Sequence, residues 1–181
     1  MTPKETLRKK CLATQHSEDA KSIFTNLTPL IKWESKPIIA GYWPIDGEID
    51  CLAFLQHCHN QGLPCGLPFI TDKESPLTFK TWQPRDILEK GKYGIPAPVL
   101  QAIDVIPDVL LIPLVAFDKD CYRLGKGGGF YDRTLAHLRK NHNILAIGLA
   151  YDCQEIDHIP REEHDQQLDC IVTPSRVVYS G

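Results

Sequence analysis

Apolar positions along this chain follow two patterns that alternate: a recurrence every three to four residues, and short unbroken runs. Thr2-Pro3-Lys4-Glu5 is a capping box with proline at the first helical position, which predicts a helix from Pro3 to about Gln15. Ser17 is placed to cap a second helix. Ala20, Ile23, Phe24, Leu27, Leu30 and Ile31 recur in it at helical spacing, and Pro29 must kink or interrupt it. Leu52, Leu55 and Cys58 line a third helix that Gly62 ends, and a fourth spans Tyr131–Lys140. The runs read as strands are Pro37–Trp43, Pro64–Phe69, Leu77–Trp82, Val109–Phe117, Ile144–Ala150, Cys170–Thr173 and Val177–Tyr179. Leu110-Leu111-Ile112 and Ile144-Leu145-Ala146-Ile147 do not alternate with polar residues, so they suit strands covered on both faces. Strands alternating with helices predict one α/β domain over residues 1–181, a three-layer, open, mostly parallel sheet with helices on both faces. Ligands of such sheets bind beyond the carboxyl ends of the strands.

One loop at that rim carries most of the candidate chemistry. Residues 118–133 read Asp-Lys-Asp-Cys-Tyr-Arg-Leu-Gly-Lys-Gly-Gly-Gly-Phe-Tyr-Asp-Arg, after the central apolar run and before a helix start. Gly125, Gly127, Gly128 and Gly129 let backbone N–H groups approach an anion, and the helix N-terminus adds partial positive charge. Arg123 and Lys126 supply cations and Asp132 a carboxylate for a metal, so the loop reads as a polyphosphate site. It is neither a P-loop, since no hydroxyl residue follows Lys126, nor the Gly-x-Gly-x-x-Gly dinucleotide fingerprint, since Phe130 takes the third place. A solvated surface loop is the bland alternative. The density of Arg, Lys, Tyr and Asp in so short a span weighs against it.

Composition narrows the class. A net charge of -3 opposes a nucleic-acid surface, and no apolar stretch reaches the roughly 20 residues of a membrane span. The N-terminal residues lack the apolar core of a signal peptide, so a cytoplasmic enzyme is expected. Seven cysteines form no Cys-x-x-Cys pair and are expected as free, mostly buried thiols. His57-Cys58-His59 is not expected to converge on one ion, because adjacent helical residues diverge.

The glycine stretch resembles the signature of the 5-formyltetrahydrofolate cyclo-ligase (5,10-methenyltetrahydrofolate synthetase) family. The resemblance runs through Phe117-Asp118 and Arg123-Leu124-Gly125-Lys126-Gly127-Gly128-Gly129-Phe130-Tyr131-Asp132-Arg133. Further matches occur in family order along nearly the whole chain. They are Lys4-x-x-x-Arg8, Pro44-x-x-x-Glu48, Gly94-Ile95-Pro96-x-Pro98, and His164-Asp165-x-x-Leu168-Asp169-x-Ile171-Val172-Thr173. Two positions depart: Cys121 stands where glycine is usual, and Ala97 where glutamate is common.

The resemblance implies ATP-dependent closure of 5-formyltetrahydrofolate to 5,10-methenyltetrahydrofolate with Mg²⁺, through a phosphorylated formyl oxygen. It implies that Arg123 and Lys126 act on the transferring phosphate. ATP would be held by Lys4, Arg8, Leu124, Gly125, Gly127, Gly128, Gly129, Phe130 and Tyr131 beside them. The folate would meet Arg8, Trp43, Glu48, Tyr93, Lys126, Phe130 and the Gly127–Gly129 backbone, and Mg²⁺ would meet Asp132 and Asp169. Taken singly, most of these have plainer readings: Lys4 and Arg8 as solvated cations, Trp43 and Tyr93 as core aromatics, and Asp132 as a carboxylate that offsets the helix dipole. The expected partners are the folate and ATP, with no nucleic acid or membrane, in a monomer or a homodimer. Two alternatives from other classes stay open: a nucleotide-independent sugar-phosphate isomerase or CoA-transferase-like enzyme, and a folate-binding module without turnover.

Overall fold

The structure, a computed structural model, describes residues 2–12 and 21–181. Its elements in chain order are α1 (Pro3–Leu12), α2 (Lys21–Leu27), β1 (Ile39–Ala40), α3 (Leu52–Asn60), β2 (Cys65–Phe69), β3 (Thr78–Trp82), β4 (Glu89–Lys90), β5 (Pro96–Ala97), β6 (Asp104–Val105), β7 (Val109–Pro113), β8 (Ala116–Phe117), β9 (Arg123–Leu124), α4 (Phe130–Leu138), β10 (Leu145–Leu149), β11 (Cys170–Val172) and β12 (Val177–Tyr179). Eight strands form the main sheet in the order β12-β11-β10-β7-β1-β2-β3-β6. β11, β10, β7, β1 and β2 run parallel, and β12, β3 and β6 join antiparallel at the edges. Two short ribbons, β4-β5 and β8-β9, lie outside that sheet.

The unbroken apolar runs belong to strands buried on both faces. Val109, Leu111, Ile147, Leu149 and Val172 pack with Ile23, Leu27, Phe54, Leu55 and Cys58 of α2 and α3. Their neighbours Leu110, Ile112, Ala146 and Ile171 point to the other face, against Leu135 and Leu138 of α4. Five of the seven cysteines are buried in this interior, and burial pushes the Cys51 thiol up to about 12.

The first helix begins as its sequence predicts. Thr2 N–H donates to Glu5 Oε2 at 2.6 Å, and Glu5 N–H donates to Thr2 Oγ1 at 3.2 Å. The second gives way at Thr28–Leu30 to a 3-10 turn with Pro29 inside it. The positions beyond Leu12, with the predicted cap at Ser17 and Ala20, lie outside the described residues. Gly62 ends α3 with φ +82.

Two strand readings are corrected. Pro37–Trp43 pairs only through Ile39 and Ala40. Val109–Phe117 is two elements: β7 stops at Pro113, and Ala116–Phe117 turns out of the sheet to pair with Arg123–Leu124. Val115, Ala116 and Leu124 pack on Leu7 and Cys11 of α1 in a third apolar cluster. The run therefore stays apolar although the chain has changed direction. The turn of the β8-β9 ribbon is organised by Asp118, a fully buried carboxylate that accepts N–H groups of Asp120, Tyr122 and Ile159 at 3.0–3.1 Å. Cys121, the departure from glycine, takes φ +61 there. The turn keeps its left-handed residue at a backbone cost of about 1–2 kcal/mol, while the thiol fills core space.

Candidate active site

The carboxyl ends of the parallel strands open into a cavity of about 950 Å³. That is the upper end of ordinary ligand pockets. Tyr42, Trp43 and Glu48 after β1, Phe69 of β2, Leu114 and Val115 after β7, and the glycine loop Gly125–Gly129 all line it. Lys4 and Arg8 of α1 close one side, and the β4-β5 ribbon with Tyr93 and Ala97 closes another.

The glycine loop joins β9 to α4. Gly127 and Gly129 take φ +105 and +67, a left-handed region that side-chain-bearing residues avoid. Gly129 precedes the first residue of α4, so the loop delivers its N–H groups beside a helix start. Arg8 Nε donates to Gly125 C=O at 2.8 Å and fastens α1 to this loop.

Arg123 is the electrostatic feature that decides the chemistry of this wall. Its side chain is only 5% exposed, and Nη2 lies 3.2 Å from Asp132 Oδ1. Neither Nε nor Nη2 makes a hydrogen bond. These two donors form one edge of the guanidinium, the edge that grips a carboxylate or phosphate in bidentate fashion. Nη2 has Asp132 as an ion-pair partner without a well-aligned hydrogen bond, and Nε has none, so an anionic ligand that fills this edge is a natural complement.

Glu48, 9% exposed, lines the same cavity, with Oε2 accepting Ile45 N–H at 3.0 Å and Oε1 3.1 Å from Lys126 Nζ. Burial raises its pKa above the ordinary glutamate value, against the pull of Ile45 N–H and Lys126. Lys126 thus reaches from the glycine loop to the β1 side, where it also meets Asp46 Oδ2 at 3.0 Å. The Tyr131 hydroxyl, flanked electrostatically by Glu48 and Arg123, is raised in pKa chiefly by burial and stays protonated. Phe130 meets Tyr93 edge-on at 6.2 Å, so the two rings flank the mouth. Trp43 packs half-buried against the α2–α3 core.

Lys4, expected at phosphates, is buried and engaged with carboxylates: Asp165 at 2.6 Å and Glu162 at 2.8 Å. Burial disfavours its charge, but the hydrogen bonds of Asp165 and Glu162 outweigh it and raise the Lys4 pKa. Asp165 is likewise opposed by burial, yet the hydrogen bond from Lys4 holds it below its ordinary value, so the pair stays ionised at neutral pH. Glu162, His164 and Asp165 offer ligand atoms within 4.8 Å of one another and line the cavity. Asp132 accepts the N–H of Gln166, next to Asp165, at 3.0 Å.

The structure does not bring Asp169 to this place. Its carboxylate accepts Ala146 N–H at 2.7 Å and pairs with Arg139 at 3.3 Å. Ala146 lies at the start of β10, so Asp169 sits at the amino ends of the parallel strands, the opposite rim, and does not line the cavity. Sequence reasoning gave no role to Asp46, Glu162 or Asp165. The Asp-Gly turn dipeptide and the His164-Asp165 pair were the available signals.

Fold and cavity together define an α/β protein whose glycine-rich loop and buried carboxylates line one ligand-sized cavity. A model of the 5-formyltetrahydrofolate cyclo-ligase family matches residues 4–174. The 5-formyltetrahydrofolate cyclo-ligase of Haemophilus influenzae is 35% identical over 167 residues, 90% of this chain and 89% of the relative. That of Escherichia coli K12 is 38% identical over 144 residues, 77% of this chain and 79% of the relative. The solution structure of Aquifex aeolicus 5,10-methenyltetrahydrofolate synthetase superposes with a TM-score of 0.82 at 28% identity, covering 98% of this chain and 93% of that one. The Mycoplasma pneumoniae synthetase gives 0.72 at 27% identity, over 94% and 98%. The chain belongs to the 5-formyltetrahydrofolate cyclo-ligase family and is an enzyme of that type. Among the described residues no helix is long and apolar enough to cross a membrane.

Proposed function

We propose that this cavity closes 5-formyltetrahydrofolate to 5,10-methenyltetrahydrofolate at the expense of ATP, releasing ADP and phosphate. The observation that carries the reading is the buried guanidinium of Arg123, with its Nε unfilled, in one cavity with the glycine loop and the buried carboxylate of Glu48. The glycine loop with Arg123 suits a polyphosphate, and Glu48 suits the adjacent N–H donors of a pterin ring.

The chemical obstacle is that a formyl oxygen leaves poorly. In this scheme the formyl oxygen attacks the γ-phosphorus, the bond to the ADP oxygen breaks, and an imino-phosphate results. N10 then attacks the formyl carbon, the C–O bond breaks with release of phosphate, and the N10 proton is lost to give the methenyl cation. Such transfer asks the protein for alignment and charge compensation. Arg123 and Lys126 supply charge at the transferring phosphate, the Gly127–Gly129 N–H groups and Arg8 hold the polyphosphate, and Phe130 and Tyr131 shape its pocket. Trp43, Tyr93 and Phe130 wall the folate beside Glu48. No nucleophilic side chain is required.

The donor set fits a hard divalent cation. Glu162, His164 and Asp165 bring ligand atoms within 4.8 Å of one another, and Lys4 would cede Asp165 and Glu162 to the ion. Mg²⁺ favours one or two carboxylates completed by phosphate oxygens and water. Asp132 and Asp165 are the residues that would hold Mg²⁺, with Glu162 beside them. The ion would neutralise charge on the polyphosphate.

Methenyl formation, followed by its absorbance, is expected to require both ATP and Mg²⁺. Asp132→Asn and Asp165→Asn are expected to raise the Mg²⁺ concentration for half-maximal activity by roughly tenfold or more, and Asp169→Asn to leave it unchanged. A metal requirement that moves only with Asp169→Asn returns the site to that residue. Turnover without ATP contradicts the reaction.

A further inference from the structure

The turn after β1 offers a second carboxylate that the scheme above leaves unused. Ile45 C=O accepts Glu48 N–H at 3.0 Å, and the two residues between, Asp46 and Gly47, take φ +49 and +78. Two successive left-handed residues closed by that bond form a mirror-image β-turn, a conformation that Asp, Asn and Gly adopt at low cost. The turn presents Asp46, 73% exposed, so that Oδ2 meets Lys126 Nζ at 3.0 Å. Glu48 Oε1 lies 3.1 Å from the same ammonium. The mobile cation of the glycine loop is therefore held by two carboxylates of one turn on the folate side of the cavity.

We propose that Asp46 is a positioning residue that keeps the Lys126 ammonium at the folate edge of the site and withholds it from the polyphosphate before transfer. The inference rests on the cyclo-ligase reading above. Once ring N–H groups occupy Glu48, that carboxylate no longer holds Lys126. Asp46, on the exposed outer side of the turn, remains its partner. A cation free to follow the phosphates would bind ATP more tightly before reaction, stabilise the ground state and slow the chemical step. Anchored by Asp46, it sits where formyl oxygen and γ-phosphate meet and gains its full interaction only as charge moves between them.

Asp46→Asn removes the charge and keeps a residue that tolerates the turn. ATP affinity is measured by calorimetry with the folate site filled by tetrahydrofolate, which lacks the formyl group and cannot react, and kcat and KM are measured in the full reaction, in wild-type and Lys126→Ala backgrounds. With Lys126 present, Asp46→Asn is expected to tighten ATP binding roughly two- to fivefold and lower kcat by a similar factor, the scale of an exposed ion pair. KM for the folate should stay unchanged. In the Lys126→Ala background the same substitution should change neither quantity. Equal or weaker ATP binding in Asp46→Asn overturns the proposal, because damage to the turn gives that result. So does an equal gain in the Lys126→Ala background, because the effect then does not pass through Lys126. Failure of the cyclo-ligase reading looks different: the wild-type protein forms no methenyl product, and the ATP affinities still decide whether Asp46 restrains Lys126.

Discussion

Replacing Lys126 with alanine is expected to lower turnover by about 10² to 10³, the range for losing one charge donor that acts in the transition state. Folate affinity should change far less, because the interaction strengthens only as the phosphoryl group moves. The structure supplies a rival expectation. Lys126 bridges the glycine loop to Asp46 and Glu48, so it also ties two walls of the cavity together. If bridging is its whole role, the variant loses a little thermal stability and turns over near the wild-type rate. Its kcat and its melting curve, measured together, separate the two.

Glu48→Gln carries the second large effect. The glutamine can still accept Ile45 N–H, but its amide NH₂ faces the Lys126 ammonium or a ring N–H, a mismatch of donors in a buried place. Such a mismatch costs about 1–3 kcal/mol, roughly 5- to 150-fold in folate affinity. ATP binding should hardly change, and an equal loss of both affinities would make Glu48 a support for the turn instead. The pH dependence has a definite sign. Burial raises the Glu48 pKa, so folate binding by the free enzyme should begin to weaken with falling pH above the ordinary glutamate range. The glutamine variant should lack that decline.

Part of the cavity lining was legible because Trp43 and Glu48 follow β1 and Phe69 ends β2, where sheet topology collects loops at one rim. Lys4, Arg8, Tyr93 and the glycine loop reach it from outside the parallel strands. The capping box of α1, the Pro29 interruption and the both-face burial of β7 and β10 followed from local rules. Val109–Phe117 was misread as one strand because β8 is buried under α1 as fully as β7 is buried in the sheet. Apolarity records burial and not direction. Asp169 was misplaced for a more instructive reason. It immediately precedes a parallel strand, so the same topological rule puts it at the amino rim, while Asp165, four residues earlier in the same motif, reaches the cavity. The unfilled Nε of Arg123 and the pairing of Lys126 with two carboxylates depend on side-chain positions brought from distant segments, which no spacing encodes.

The central claim is that the formyl oxygen leaves as part of phosphate, and oxygen labelling tests it most directly. 5-Formyltetrahydrofolate carrying ¹⁸O in the formyl group is turned over with unlabelled ATP in unlabelled water, and the released phosphate is analysed by mass. The account predicts one ¹⁸O atom in each phosphate formed with methenyl product. Unlabelled phosphate, produced while the product accumulates, would mean that ATP is cleaved by water and that the ring closes without phosphorylation of the formyl oxygen.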